Sequence, residues 1–194
     1  DLQGGFRSGR GTTEQMFVLN EIIEIRRELG VPTYLTFIDV RKAYDRVWRT
    51  GLWLKVRKSG MNGRLADILQ EMYRRVSRSV LLNGCRSEEF QVAAGVPQGA
   101  VLSPYLYALY INGLADALIA GGLGVRVYGR LVPLLLYADD IVLLARSPEE
   151  MRRMHATVAQ YARNWHFTVN HGKSNIDIVV VGTVTERAWI RTQS

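Results

Sequence analysis

The sequence is poor in the residues that hold small extracellular domains together. It has one cysteine, Cys85, among 194 residues, so no disulfide can form within the chain. That cysteine and the three histidines match no closed zinc-ligand spacing. Cysteine use of this kind is typical of a reducing, intracellular compartment.

The sequence also lacks a long uninterrupted apolar run. The longest uncharged stretch, 90–115, contains two prolines, an asparagine and three glycines, so we expect no membrane-spanning helix. The first residue is Asp1 and no basic-then-apolar leader follows it, which favours a fragment of a longer protein.

Several catalytic motifs are missing. Gly172-Lys173-Ser174 resembles the end of a P-loop, but Phe167 stands where that loop needs glycine. No HExxH, CxxC or GxSxG motif occurs, so zinc hydrolysis, thiol redox chemistry and a serine nucleophile elbow have no support.

Acidic residues are scarce in one part of the chain, the basic segment 49–86. It carries nine basic and two acidic residues, and the rest of the chain is neutral, so the whole net charge of +7 lies there. Such a segment, with aromatic residues nearby, attracts a polyphosphate backbone, and we predict nucleic-acid contacts at Arg74, Arg75 and Arg78. A solvated helix face is the alternative interpretation.

Hydrophobic periodicity predicts a mixed α+β fold. Helices are expected at about 12–29, 51–59, 63–76, 103–119 and 148–165, with caps at Thr12 or Thr13, Ser103 and Ser147. Strands are expected at 34–40, 79–82, 88–93, 133–137, 141–145 and 176–181, with a hairpin turn at Asn83-Gly84 and a polar tail at the end.

Three carboxylates stand where apolar residues are expected. Asp39 ends one apolar strand, and Asp139-Asp140 interrupts an apolar hairpin. Aspartate also favours turns, which is the simpler interpretation. If the two strands are neighbours, however, the carboxylates converge on one rim, where oxygen ligands suit Mg²⁺. Two such ions support in-line phosphoryl transfer, in a polymerase or in a nuclease.

Three motifs in order resemble the palm motifs of reverse transcriptases: FIDVRKAYD (37–45), GVPQGAVLSP (95–104) and YADD (137–140). The upstream QGGFRSGRGTTEQ (3–15) and downstream WHFTVNHGKS (165–174) extend the resemblance over about nine-tenths of the chain. The upstream motif and the 39-to-98 spacing are more similar to non-LTR (LINE-type) retrotransposons than to retroviruses. Group II intron enzymes share much of this pattern.

The resemblance implies an RNA-directed DNA polymerase that extends a DNA primer on an RNA template with deoxynucleotides. Asp39, Asp139 and Asp140 would be the catalytic metal ligands for two Mg²⁺ ions, with Mn²⁺ as a possible substitute. The backbone at Val40, Lys42 and Ala43 would face the triphosphate.

The same resemblance assigns further nucleotide-site residues. Tyr44 would be the steric gate that excludes a ribose 2′-hydroxyl, although a core aromatic is the alternative. Pro97, Gln98 and Gly99 would lie against the incoming nucleotide. Lys173 would donate a proton to the pyrophosphate leaving group, where an ordinary surface lysine is the commoner case.

The resemblance also implies a domain plan. The palm, a ferredoxin-like antiparallel sheet backed by helices, would comprise 33–45 and 96–182, with 1–32 and 46–95 as fingers-like or connecting segments. The thumb, the first fingers motif and any endonuclease would lie outside this chain. The alternatives are a non-catalytic RNA-binding scaffold and a group II intron-type maturase. A eukaryotic retrotransposon protein would be nuclear or cytoplasmic.

Overall fold

A computed structural model describes residues 2–7, 9–170, 177–181 and 189–191, the last two segments by their backbone. Lys173 lies outside the described residues. The helices are α1 (Thr12–Glu28), α2 (Arg49–Lys58), α3 (Arg64–Met72), α4 (Ser103–Ala120) and α5 (Pro148–Asn164). The strands are β1 (Thr33–Asp39), β2 (Ser77–Arg78), β3 (Leu81–Leu82), β4 (Cys85–Arg86), β5 (Phe90–Gln91), β6 (Val125–Val127), β7 (Arg130–Val132), β8 (Leu134–Tyr137), β9 (Asp140–Ala145), β10 (Asp177–Val181) and β11 (Trp189–Arg191).

One antiparallel sheet organises the fold, with the strand order β11-β10-β1-β9-β8. The predicted adjacency of the Asp39 strand and the Asp139-Asp140 hairpin is confirmed, because β1 pairs with β9 along six residues. The mixed α+β prediction is confirmed as well.

Both faces of the sheet are covered, which explains why its strands read as nearly continuous apolar runs. Side chains alternate along each strand. Ile38, Leu136 and Ile141 face the larger core, which α4 and α5 supply. Leu35 and Leu144 face a smaller core with Ile22 of α1. No helix among the described residues is both long and apolar enough to cross a membrane.

Helix α5 follows its prediction closely. Ser147 is the N-cap, and its hydroxyl accepts the Glu150 N–H at 3.1 Å. Met151, Met154 and Val158 form a buried stripe at helical spacing. The Glu150 carboxylate does not close a capping box: it accepts the N–H groups of Arg146 and Gly124 and pairs with the Arg146 guanidinium.

The predicted caps of two other helices are wrong. Helix α1 begins at Thr12 with Gly11 as N-cap, and the Glu14 carboxylate accepts the Gly11 N–H at 2.6 Å. Ser103 is already inside α4, where its buried hydroxyl has no hydrogen-bond partner among the described residues. Because the Glu14 carboxylate in the first turn accepts the Gly11 N–H, the start of α1 needs no threonine cap.

The strands between 77 and 91 are shorter than predicted. The turn at Asn83-Gly84 is confirmed, with φ values of +49° and +79°, and it joins β3 to β4. Phe90 pairs with Arg78 instead, in a separate two-stranded ladder. Two further features were not predicted, namely the β6–β7 hairpin and β11, which lies in the expected polar tail.

Candidate active site

The acidic rim consists of Asp39, Asp139 and Asp140, where β1 and the β8–β9 hairpin end. Asp39 is the direct cross-strand partner of Asp140. Opposed Cα atoms in antiparallel strands lie about 5 Å apart. Asp139 occupies the two-residue loop with Ala138, whose φ is +56°. The register therefore brings the three predicted carboxylates to one place.

Burial and electrostatic repulsion both oppose ionisation of this arrangement. Burial, followed by the negative charges of Asp139 and Asp39, raises the pKa of Asp140 above its ordinary value. A divalent cation would offset the repulsion, and carboxylate oxygens are the ligands that Mg²⁺ prefers. The donor type and the backbone placement therefore fit Mg²⁺. Among the described residues, however, no three acidic, histidine or cysteine side chains already close around one point.

Asn170 is a site residue that the sequence analysis missed. Its side-chain amide donates a hydrogen bond to Oδ2 of Asp39 at 2.8 Å, and its backbone N–H donates to the Asp39 carbonyl at 2.9 Å. The only sequence signal was its position inside the downstream motif, three residues before Lys173.

A cavity of about 570 Å³, the Tyr44 pocket, opens beside the rim. It brings together four residues, from three separate motifs, that were predicted to serve one site: Tyr44, Gln98, Gly99 and Asp139. Phe6, from the upstream motif, also lines it and was not predicted as a site residue. The pocket is therefore continuous with one carboxylate of the acidic rim.

Aromatic stacking fixes the Tyr44 ring. Tyr44 stacks on Tyr107 of α4, with ring centroids 5.0 Å apart and planes at 22°, and the Phe6 ring meets it edge-on at 6.4 Å. Burial, followed by the charge of Asp139, raises the pKa of Tyr44 to about 12. Both tyrosine hydroxyls are buried without a hydrogen-bond partner in the described part of the chain. Tyr44 is thus both a packed aromatic and part of the pocket wall.

The turn that carries Pro97, Gln98 and Gly99 is tied to the segment after β1. The Val96 N–H donates to the Tyr44 carbonyl at 2.8 Å, and the Gly95 N–H donates to the Val47 carbonyl at 2.8 Å. A Cβ at Gly95 would lie 2.6 Å from the Asp45 carbonyl oxygen, at a φ of +82°. Only glycine permits this close approach, which keeps the turn beside Tyr44.

The backbone after Asp39 bends sharply. Val40 and Ala43 are buried in the larger core, while Lys42 is exposed and has a φ of +50°. Any contact of Val40 or Ala43 with a ligand must therefore use backbone groups. Their assignment to the triphosphate stays a prediction.

The basic segment divides into two kinds of residue. Arg49 and Lys55 turn inward and bind backbone carbonyls, so neither is available to a ligand. Arg74 and Arg75 are exposed, although Arg74 lies 3.4 Å from Glu71, and Arg78 is half-buried in β2. The predicted nucleic-acid contacts remain a prediction for these three arginines.

Comparison with solved structures defines the class of fold. A Candida tropicalis telomerase in its apo form has a TM-score of 0.64 at 14% identity, covering 94% of this chain and 37% of that one. A Candida albicans telomerase has a TM-score of 0.66 at 15% identity, covering 93% of this chain and 32% of that one. The fold is the polymerase fold of telomerase reverse transcriptase, as the palm prediction requires.

Sequence comparison gives the family. The probable RNA-directed DNA polymerase of transposon X-element from Drosophila melanogaster is 32% identical, and the enzyme of mobile element jockey from Drosophila funebris is also 32% identical. Each match covers 89% of this chain and 19% of the relative. The profile described as reverse transcriptase (RNA-dependent DNA polymerase) matches residues 1–182. The chain belongs to the reverse transcriptase family, and its relatives come from non-LTR transposons, as the motifs predicted.

Proposed function

We propose that this chain carries the nucleotide-adding site of a non-LTR retrotransposon RNA-directed DNA polymerase. The observation that carries the proposal is the cross-strand pairing of Asp39 with Asp140 beside the Tyr44 pocket. The chain spans about a fifth of the length of these relatives. The residues that hold the template, the thumb and any endonuclease domain would therefore come from flanking sequence.

Each group in the site has a task that follows from its position. Asp39, Asp139 and Asp140 would hold two Mg²⁺ ions, or Mn²⁺ in their place. When bound, the ions supply charge stabilisation for the attacking primer oxygen and for the leaving phosphate. The Tyr44 pocket would receive the deoxynucleotide, with Gln98 and Gly99 on its open side. Lys173 is proposed as the proton donor to pyrophosphate.

The macromolecular partners follow from the same assignment. We infer an RNA template and a DNA primer, because the relatives are named RNA-directed DNA polymerases. The solved Candida albicans telomerase is described in complex with a fragment of telomeric RNA, which supports RNA binding by this fold.

Removing one rim carboxylate tests the proposal. Asp139→Asn is expected to reduce primer extension on an RNA template more than about 100-fold, because each lost 1.36 kcal/mol of transition-state stabilisation costs tenfold. RNA affinity should stay within a few-fold. The matched control is Asp67→Asn, an exposed carboxylate that pairs with Arg57 on the surface. Equal extension by Asp139→Asn and wild type would reject the catalytic assignment and favour a non-catalytic RNA-binding scaffold.

A further inference from the structure

The residues 168–170, here called the Asn170 segment, lengthen the sheet beside Asp39. Val169 forms an antiparallel bridge with Val40. The Arg41 N–H donates to the Thr168 carbonyl at 2.9 Å, and the Asn170 N–H donates to the Asp39 carbonyl at 2.9 Å. The segment thus lies on the side of β1 opposite β9, the strand that carries Asp140.

These backbone contacts already fix the Asn170 segment. The side-chain amide of Asn170 adds something different, since it donates to Oδ2 of the Asp39 carboxylate at 2.8 Å. A hydrogen bond to an ionised acceptor is about twice as strong as one between neutral groups. It restricts rotation of the carboxylate about the Cα–Cβ and Cβ–Cγ bonds. The orientation of Asp39 relative to Asp140 is therefore set from the far side of β1.

We propose that Asn170 is a positioning residue that orients the Asp39 carboxylate for divalent-cation binding. The inference rests on the proposed function for its link to catalysis. With Oδ2 held by the amide, the Asp39 carboxylate is limited to a narrow range of orientations beside Asp140. Partners of metal ligands typically contribute 10- to 100-fold to metal affinity or activity.

Three variants isolate this contribution. Asn170→Ala removes the side-chain amide, and Asn170→Leu removes the donor while filling a similar volume. Thr168→Ala is the matched control, because Thr168 lies in the same segment and its hydroxyl accepts a hydrogen bond from Arg46 at 3.1 Å. Thermal unfolding establishes that each variant is folded.

The first measurement needs no catalysis. Mn²⁺ binding to the 194-residue chain is followed by electron paramagnetic resonance, without nucleotide or nucleic acid. Both Asn170 variants are expected to weaken Mn²⁺ binding about tenfold, while Thr168→Ala leaves it unchanged. In metal-free ¹⁵N spectra, the Asn170 side-chain amide resonance of the wild type should shift in Asp39→Ala and stay in place in Thr168→Ala.

The second measurement is steady-state primer extension. Asn170→Ala should lower kcat about tenfold while the KM for deoxynucleotide changes less than about twofold. A merely structural role would change both parameters together with the unfolding temperature.

The proposal is overturned if both Asn170 variants bind Mn²⁺ with wild-type affinity, or if they bind it more tightly, which would mean that Asn170 holds Asp39 away from the cation. A wild-type chain that binds no Mn²⁺ also overturns it. Failure of the proposed function is separate, since it appears as wild-type primer extension that Asp139→Asn does not reduce, whatever the Mn²⁺ result.

Discussion

At the scale of single residues, the Tyr44 ring lines its pocket and stacks on Tyr107, and both tyrosine hydroxyls are buried without a hydrogen-bond partner among the residues that the structure describes. A buried hydroxyl without a partner costs free energy. The ring of Tyr44 is held by Tyr107 below and Phe6 at its edge. The position of this ring therefore depends on packing and needs no hydrogen bond from its hydroxyl.

The first residue-scale prediction concerns sugar selection. Tyr44→Val opens the space that a ribose 2′-hydroxyl needs, so discrimination against ribonucleotides should fall about 10- to 100-fold in primer-extension assays with both nucleotide classes. Tyr44→Phe is the control, because it keeps the ring and removes only the hydroxyl. Unchanged selectivity in Tyr44→Val would reject the gate.

Lys55 is a half-buried cation surrounded by aromatic side chains. Its ammonium donates to the Tyr110 carbonyl at 2.7 Å and to the Tyr161 hydroxyl, and it lies 4.1 Å from the Trp165 ring centroid. Burial lowers the pKa of Lys55 to about 8. The ring faces stabilise the charged form and offset part of that burial cost.

The second residue-scale prediction follows from this pKa. Between pH 8 and 10 the unfolded chain keeps a proton on Lys55 that the folded protein has released, so the free energy of unfolding should rise with pH. We expect an increase of about 1 kcal/mol, measured by urea unfolding at both pH values. The increase should disappear in Lys55→Met and persist in Lys58→Met, an exposed lysine on the same helix. An identical pH slope in wild type and Lys55→Met would contradict this prediction.

At the scale of elements, one buried guanidinium joins the start of α2 to the strap 92–95 that precedes the Gln98 turn. Arg49 donates to the carbonyls of Gly95 at 2.9 Å, Val92 at 2.7 Å and Tyr73 at 2.9 Å. The guanidinium lies 5.6 Å from the Tyr73 ring centroid. The N–H groups of the Arg49 guanidinium therefore fix the strap 92–95, which is not part of a β-strand.

We predict that Arg49→Met lowers the free energy of unfolding by about 3 kcal/mol, because it leaves several buried carbonyls without donors. Denaturant titration measures this loss. Arg57→Met, which removes a surface pair with Asp67, is the control and should cost less than about 1 kcal/mol. If Arg49→Met lowers the free energy of unfolding no more than the control does, Arg49 does not stabilise the strap.

Elements with strong local signals were predictable, and those made by distant contacts were not. The capped, periodic α5 and the Asn83-Gly84 turn depend on neighbouring residues, and both were correct. The rim was predictable because carboxylates in apolar strands are conspicuous. Asn170 and Arg49 carried no such signal, since their partners lie 131 and up to 46 residues away.

At the scale of the whole molecule, the positive charge is only partly available to a ligand. Arg49 and Lys55 are used inside the fold, and Arg57 pairs with Asp67. Arg74 and Arg75 remain on the surface of this part of the molecule. An electrostatic footprint for nucleic acid is therefore smaller than the net charge of +7 suggests.

The salt dependence of RNA affinity tests that footprint. Replacing Arg74, Arg75 and Arg78 together by glutamine should reduce the slope of log affinity against log salt by about 0.7 to 0.9 for each lost phosphate contact. Replacing Arg152, Arg153 and Arg163 of α5 removes the same charge from another surface and should change the slope less. Equal slopes in the two triple variants would assign the basic segment to a solvated face.

The pairing of Asp39 with Asp140 also bears on how such a chain can change over evolutionary time. The distance between them is set by the spacing of adjacent strands. This spacing is the same in every antiparallel sheet and does not depend on which side chains the strands carry. Point replacements can accumulate around the two carboxylates without altering that spacing. A codon gained or lost within either strand would instead turn one carboxylate to the opposite face, so changes in length, more than changes in composition, are what natural selection must remove here.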